Sequence, residues 1–265
     1  MPRPERVDAE EIAVPTKTKA PRMTLAETMS ALEKAGSAQT RKTYARHGVT
    51  DPMFGVSFAT LKTLLKRIRV DHELALALWD TGNYDARNLA VKVADPLRMS
   101  PSDLDRWARA PSARMHAGYV AHLAVEGPHA RGRSDAWLSA RDETRRCVGW
   151  SLVGAMAMRD EVTPDAWFAQ RLAEIEKSIQ TSPNALRGVM LNALIAIGGR
   201  SAALRKSVTA AAKRIGKIEI DHGDTACKTP EAVPTLEKAW AYAASKGFES
   251  PAAQERARES LRTRC

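Results

Sequence analysis

Apolar residues recur at intervals of three or four along most of the chain, which is the spacing of an amphipathic α-helix. After Ser57, for example, an apolar stripe runs through every third or fourth position. Its members are Phe58, Leu61, Leu65 and Ile68. The one alternating stretch, Lys217–Asp221, is too short and isolated to found a sheet. The pattern therefore predicts an all-α protein.

Capping residues mark where these helices begin. Thr24 with Glu27 three positions later has the spacing of a capping box, and Ser57 and Asp71 precede further periodic runs. At five other places a hydroxyl residue precedes a proline, which suits the N-cap and the first helical position. These pairs are Ser100-Pro101, Thr163-Pro164, Ser182-Pro183, Thr229-Pro230 and Ser250-Pro251. Together the signals predict roughly a dozen helices of ordinary length.

The turns between the predicted helices are very short, so neighbouring helices must pack antiparallel. No strict repeat is visible, but the helical pairs have roughly the size of HEAT units. We therefore expect an α-solenoid of HEAT-like antiparallel helix pairs with one concave face; a compact irregular bundle is the alternative. Residues 1–22 lack periodicity and are predicted to form a disordered arm, and residues 23–265 a single helical-repeat domain.

Charge changes this picture more than any other feature of the composition. The 265 residues include 41 Lys and Arg against 31 Asp and Glu, for a net charge of +10. This excess suggests a polyanionic partner, nucleic acid before membrane; the alternative is ordinary solubility charge. The three scattered cysteines, Cys147, Cys227 and Cys265, indicate reduced thiols in a cytoplasmic protein. The mean hydropathy is −0.36, and no stretch has the length of a membrane span.

Two basic segments lie far apart in the sequence. On the helix after Ser57, a basic stripe contains Lys62, Lys66 and Arg69, and such a face can follow a phosphate backbone. The second segment has no acid between residues 200 and 217. Its cations are Arg200, Arg205, Lys206, Lys213, Arg214 and Lys217. In a curved stack both segments could line one groove; two separate solvated faces are the alternative.

The stretch Asp142–Met158 is predicted to be the central core helix. Its buried face has helical spacing and comprises Val148, Leu152, Ala155 and Met156. Arg145 and Arg146 fall in its first turn, where the helix dipole prefers acids. We interpret them as two guanidinium groups directed towards a groove; a solvated pair or an intramolecular salt bridge is the alternative.

The remaining candidates for chemistry carry less weight. His116 and His122 are six residues apart, so they face different ways on a helix and are predicted to be structural. Residues 221–230 gather Asp, His, Asp and Cys, which leaves a metal site or a Cys227–His222 pair open. We prefer a tight turn with Thr229 capping the next helix. Because no phosphate-binding, dinucleotide-binding or serine-hydrolase motif is present, no cofactor is expected.

Three segments together resemble the DNA alkylation repair family of HEAT-like proteins, the AlkD-like glycosylases. They are YARHGV with MFGVSFATLKTLLKRI, HELALALWDTGNYDARNLAVKVAD, and ETRRCVGWSLV. The similarity covers about residues 24–245. It implies an α-solenoid that cradles duplex DNA in a concave basic face. Active members of that family excise cationic N3- and N7-alkylpurines without the base flipping usual for glycosylases, so the resemblance implies the same activity as an expectation.

The resemblance also implies where a site would lie. Arg145 or Arg146 matches the family's arginine at the start of its central helix. Active members have a Trp-rich segment ending in Asp where this chain has Pro111–Leu123, and a second Trp where it has Gly188–Asn192, so no catalytic residue is assigned. The predicted DNA-binding residues are Lys62, Lys66, Arg69, Arg114, Arg145, Arg146, Lys213 and Arg214.

Two functions stay open at this point. One is a DNA glycosylase that excises cationic alkylpurines from duplex DNA. The other is a non-catalytic helical scaffold that binds DNA or protein. The expected partner is duplex DNA carrying alkylated bases; no membrane partner and no oligomer is implied.

Overall fold

The computed structural model describes residues 22–110 and 114–263, with the side chains of residues 114 and 115 outside the description. Within these ranges the chain is helical and contains no β-strand, as predicted. Its α-helices are α1 Leu25–Lys34, α2 Ala38–Arg46, α3 Phe58–Ile68, α4 His72–Asp80, α5 Tyr84–Val93, α6 Pro101–Ala108, α7 Arg114–Val125, α8 Ala130–Leu138, α9 Glu143–Arg159, α10 Asp165–Ser178, α11 Asn184–Gly198, α12 Ala202–Ile215, α13 Ala232–Ser245 and α14 Pro251–Arg256. One 3-10 helix spans Ile179–Thr181. The predicted arm of residues 1–22 lies, except for Arg22, outside the described residues.

The helices form two layers. In the first layer α5, α7, α9 and α11 lie side by side in chain order. The second layer covers one face of the first: α4 packs on α5, α8 on α9 and α12 on α11. Successive helices therefore alternate between layers, which is the arrangement of stacked HEAT-like pairs.

Helix α9 is the centre of the stack, as the sequence predicts. It contacts α7, α8 and α11 extensively, and Val148, Leu152 and Met156 are fully buried. Gly149 allows α8 to approach closely, because a Cβ there would lie 3.0 Å from the backbone nitrogen of Leu138. A helix that is apolar on nearly every side can only occupy the interior of such a stack.

Most predicted helix starts are confirmed at the predicted residue. Thr24 and Glu27 form a complete capping box. Side-chain oxygens of four further predicted caps accept a backbone N–H of their helix, and these caps are Ser57, Asp71, Ser100 and Ser250. Local sequence decides these boundaries, since a cap needs only a side chain and its own first turn.

Three of the five hydroxyl–proline pairs do not cap their helix, so that part of the prediction is wrong. Helices α10 and α11 begin immediately after Pro164 and Pro183, and α13 begins two residues after Pro230. The hydroxyls are engaged elsewhere: Thr163 donates to the Asp160 carboxylate over 2.5 Å, and Ser182 donates to the carbonyl of Ser178 over 2.9 Å. The hydroxyls of Thr163 and Ser182 thus stabilise the preceding turn.

The C-terminal segment, residues 248–263, crosses one edge of the first layer. It bonds to the ends of α11 and α9 through Ala252 N–H to Gly199 O (3.1 Å) and Arg159 to the carbonyl of Glu255 (3.1 Å). Arg262 then reaches the ends of α7 and α5, where it contacts Glu126 over 2.7 Å and the carbonyl of Lys92 over 2.8 Å. Because all four helices end at this one edge, they run parallel.

Asp85 joins the start of α5 to the loop before α3. Its fully buried carboxylate accepts backbone N–H groups of Phe54, Gly55 and Val56 over 2.7, 3.0 and 2.8 Å. Three such bonds compensate the desolvation of the carboxylate. The loop is thereby fixed, and with it the start of α3.

Candidate nucleic-acid interface

The first predicted basic segment forms an exposed stripe on α3. Leu61 and Leu64 bury one side of the helix, while Lys62 and Lys66, one turn apart, project into solvent on another. Arg69 follows directly after the helix and is also exposed. Neither Lys66 nor Arg69 forms an ion pair with any described residue. Lys66 and Arg69 can therefore meet an external anion without first breaking an ion pair to a described residue.

Arg69 has an unfavourable backbone conformation. Its φ is 63° and its ψ is −131°, and among the described residues no other non-glycine residue has a positive φ. Residues that have a Cβ rarely adopt this conformation, and it strains the backbone by about 1–3 kcal/mol. Strain of this kind concentrates at functional positions. An arginine that occupies a position better suited to glycine is consistent with a role for its guanidinium group.

The two arginines at the start of α9 have different surroundings. Asp142 caps the helix by accepting the Arg145 N–H over 2.8 Å, and it also accepts a bond from the Arg145 guanidinium. Although burial acts to raise it, these bonds hold the pKa of Asp142 below its usual value. Arg146 is half-buried, and its side chain has no hydrogen bond or ion pair to the described residues. Of the two, Arg146 is therefore the one whose charge is available to a ligand.

Three of the six cations in the second basic segment form ion pairs with described residues. Arg214 is bidentate to Glu176, with contacts of 2.5 and 2.9 Å, and Lys217 pairs with Glu219 over 2.8 Å. Lys213 is exposed at the end of α12. Glu219 lies two residues after Lys217, whereas Glu176 lies on α10, far from Arg214 in the sequence. The signal that finds Glu176 is an acid about one HEAT unit earlier in the chain.

Arg200 is a structural residue rather than a surface cation. Its side chain is 9% exposed and pairs with Asp165 over 2.9 Å. It also donates to the backbone carbonyls of Asp160 and Thr163 and lies over the ring of Phe168. The guanidinium therefore satisfies carbonyls at the end of α9, which removes Arg200 from the predicted basic face.

The loop between α12 and α13, residues 216–231, reaches across to the first helices. It is anchored at the start of α11, where Asn184 exchanges two 2.8 Å hydrogen bonds with the backbone of Asp221. Its far side faces α2 and encloses with it a cavity of about 610 Å³. The predicted tight turn at residues 221–230 is present only around Gly223, which has a φ of 56°. Thr229 does not cap α13, because its hydroxyl contacts the ring of His222 over 3.0 Å.

Metal binding and membrane insertion both depend on features of the described residues. Among the described residues, no group of three or more His, Cys, Asp or Glu side chains is arranged to hold a metal ion. None of the described helices is long and apolar enough to cross a lipid bilayer.

Comparison with known proteins decides the family. The sequence profile of the family described as DNA alkylation repair enzyme matches residues 28–214, well over half of the chain. The chain belongs to the DNA alkylation repair enzyme family. The predicted resemblance is therefore confirmed.

Relatives and a solved structure agree with this assignment. An uncharacterised protein of Listeria monocytogenes is 25% identical over 215 residues, which cover 78% of this chain and 93% of that protein. A second uncharacterised protein, from Listeria innocua, is 24% identical over the same shares. A solved structure described as belonging to a new family related to the HEAT-like repeat DNA glycosylases, with affinity for branched DNA structures, is 28% identical. It matches 86% of this chain and 98% of its own, with a TM-score of 0.75, which confirms the HEAT-like fold.

The open face of α7, α9 and α11 differs from the pattern expected of active members of the DNA alkylation repair enzyme family. A cavity of about 380 Å³ lies there, and six of its thirteen described lining residues are Gly, Ala or Ser. They are Gly118, Ser151, Gly154, Ala155, Ala193 and Ala196. Trp150 at its wall is 5% exposed, and Glu255 at its end pairs with Arg159 over 3.5 Å. This surface allows close approach of another backbone, but its described side chains include no unpaired carboxylate.

The segment where the family's Trp and Asp are expected is only partly described. Residues 111–113 and the side chain of Arg114, a predicted DNA-binding residue, lie outside the described residues. His116 is fully buried and stacks on Tyr84, with ring centroids 4.4 Å apart. Burial, and secondarily the charge of Arg87, lower the pKa of His116 to about 3. The histidine is therefore a neutral core residue, in agreement with its predicted structural role.

Proposed function

We propose that this member of the family binds DNA and prefers branched DNA to a linear duplex. The observation that carries the proposal is the likeness, over 98% of its length, to a solved HEAT-like protein with affinity for branched DNA. The net charge of +10 and the exposed stripe on α3 support it, because phosphate neutralisation supplies most of non-specific DNA affinity.

Individual residues have distinct roles in this proposal. Arg146, unpaired among the described residues at the start of the central helix, binds a phosphate as a bidentate fork. Lys66 and Arg69 contact the backbone of a neighbouring arm. Five further residues remain predicted DNA contacts: Lys62, Arg114, Arg145, Lys213 and Arg214. To reach DNA, Arg145 must first break its ion pair with Asp142, and Arg214 its ion pair with Glu176.

Base excision is the second candidate, favoured by the family description itself. A cationic alkylpurine is already a good leaving group, so a glycosylase of this type needs chiefly a carboxylate near the developing oxocarbenium ion. On the described open face the only carboxylate lining the cavity is Glu255, which is paired with Arg159. We therefore place DNA binding ahead of catalysis.

Two measurements test these functions separately. The first compares the affinity for a four-way junction with that for a linear duplex of the same arm sequence, by competition at low salt. We expect the junction to bind more tightly; equal affinities would remove the preference, and no binding would overturn the proposal. The second measures release of 7-methylguanine and 3-methyladenine from methylated duplex DNA, and release above the blank would make the protein a glycosylase.

A further inference from the structure

We propose that the cavity between α2 and the 216–231 loop holds one unpaired nucleobase of the bound DNA. The inference rests on the proposed DNA-binding function and names a subsite for it. None of the described residues that line this cavity lies on α7, α9 or α11. The cavity's volume of about 610 Å³ lies within the range of pockets that hold small organic ligands.

One aromatic ring of this cavity is partly exposed. Phe58 is half-buried and lines the cavity, with its ring centroid 6.2 Å from that of Tyr44. Tyr44 and Tyr84 also line the cavity, but they are 6% and 1% exposed, so the protein covers most of their rings. The chain has only four Tyr and four Phe residues, so three of these eight lie at one site. Aromatic surfaces bind bases of any sequence, because every base has a π-face on which to stack.

The walls of the cavity supply polar groups suited to the edge of a base and to its phosphate. His47 lies on one wall and His222 on the other, and an imidazole can donate to or accept from a base edge. Arg46 lies at the exposed rim without an ion pair to any described residue, where it can meet the phosphate. Asp221 also lines the cavity, but its carboxylate is occupied by the Gly223 N–H over 2.8 Å.

The wall formed by the loop is held in place before any ligand binds. Gln180 donates to the carbonyl of Lys217 over 3.0 Å, Arg187 to that of Glu219 over 2.7 Å, and Asn184 to that of Asp221 over 2.8 Å. Within the loop, Thr225 donates to the carbonyl of His222 over 2.9 Å. These bonds keep the loop on α11 and leave the space between the loop and α2 open. A preformed site of this kind loses little ordering entropy on binding.

The test compares two DNA duplexes that differ in one base. One carries a single unpaired thymine, and the other carries an abasic residue at the same place. We expect the protein to bind the thymine-containing duplex at least about fivefold more tightly, because that is the lower end of the effect of one base stacked on an aromatic ring. Equal affinities for the two duplexes, with both bound, would overturn this inference and leave the proposed function standing.

Variants locate the effect at the cavity. Cys227 is exposed and lines the cavity, so Cys227→Trp should fill the space and abolish the preference, while Cys227→Ser should retain it. Phe58→Leu keeps apolar volume but removes a ring, and should reduce the preference. Arg46→Ala should weaken binding of both duplexes equally.

The remaining outcomes are decisive in the same way. A preference that survives Cys227→Trp in a protein with unchanged helix content would place the base elsewhere and overturn the inference. Failure to bind either duplex, or a junction, would overturn the proposed function and this subsite with it.

Discussion

At the residue scale, the neighbouring arginines of α9 differ in what surrounds them. The guanidinium of Arg145 is paired with the capping carboxylate of Asp142, whereas the side chain of Arg146 has no hydrogen bond or ion pair to a described residue. Arg146→Ala should therefore weaken DNA binding by about tenfold at low salt, since a charge-assisted contact to phosphate is worth about 1.5–3 kcal/mol. Fluorescence anisotropy with a labelled junction measures the loss.

Arg145→Ala is the matched control for this prediction. Its effect on DNA affinity should be smaller, because the guanidinium is already neutralised by Asp142. Equal losses in the two variants would contradict the distinction. A fall in helix content, measured by circular dichroism, would instead mark the arginines as structural.

His116 gives the protein a specific dependence on pH. Its pKa is lowered to about 3 in the folded state, against an ordinary value of 6.5, so below pH 6.5 the unfolded chain binds the proton more readily. Stability is therefore complete above pH 6.5 and is lost as the pH falls towards 3, by about 1.4 kcal/mol per pH unit. Between pH 6.5 and 4.5 this amounts to about 2 kcal/mol, because the unfolded histidine is only half protonated at pH 6.5.

The variant His116→Phe isolates this contribution. It keeps an aromatic ring against Tyr84 but cannot be protonated. Urea unfolding at several pH values should show a shallower acid loss in the variant than in the wild type, while the carboxylates that both proteins share contribute equally. Parallel curves for the two proteins would show that His116 does not cause the dependence.

At the element scale, the end of α3 is strained at Arg69. Arg69→Gly should raise the free energy of unfolding by about 1 kcal/mol, because glycine adopts the positive φ without strain and that relief exceeds its extra entropy loss. Lys66→Gly, inside the same helix, should lower the free energy of unfolding by about 0.7 kcal/mol, because glycine is a poorer helix former than lysine. Chemical denaturation measures both.

Both glycine variants remove a cation from the stripe on α3. Each should therefore weaken DNA binding, although their effects on stability have opposite signs. A destabilised Arg69→Gly variant would refute the account of strain, and unchanged DNA binding in both variants would exclude the stripe from the interface.

Helix boundaries show how far the sequence alone can lead. The caps at Thr24, Ser57 and Ser100 could be predicted because every partner lies within the next three residues. Thr163 and Ser182 have the same local pattern but donate backwards to the preceding turn. Such a choice depends on where the neighbouring helix lies, which the local sequence does not specify.

At the scale of the whole molecule, Arg262 of the C-terminal segment binds the first layer at the edge where α5 and α7 end. Its side chain is 6% exposed, and the guanidinium contacts both Glu126 and the last carbonyls of α5. Arg262→Ala should lower the free energy of unfolding by about 3 kcal/mol, because the carbonyls of Val91 and Lys92 lose a buried donor and Glu126 keeps, among the described residues, only the hydrogen bond from Ser260. Equilibrium unfolding in urea measures this loss.

Arg258→Ala is the control, because Arg258 lies in the same C-terminal segment but is exposed. Its stability should match the wild type. A comparable loss in both variants would mean that the segment acts through its general presence and not through the buried guanidinium.

The arrangement of charge over the molecule is what the sequence predicted least well. The stripe on α3 could be predicted because it depends on a single helix. The second basic segment could not, because Asp165 and Glu176 come from the preceding helix pair and neutralise Arg200 and Arg214. The position of the 216–231 loop could not be predicted either, because it contacts Asn184 at the start of α11 and borders a cavity with α2, far away in the sequence.

The most direct test of DNA binding through these cations is its salt dependence. Affinity for a four-way junction should fall linearly on a double-logarithmic plot, with a slope of about −0.9 for each phosphate neutralised. The double variant Lys66→Ala/Arg146→Ala should have a slope shallower by about 2, because two contacts are removed. An affinity that does not change with salt, or a double variant with the wild-type slope, would contradict the account.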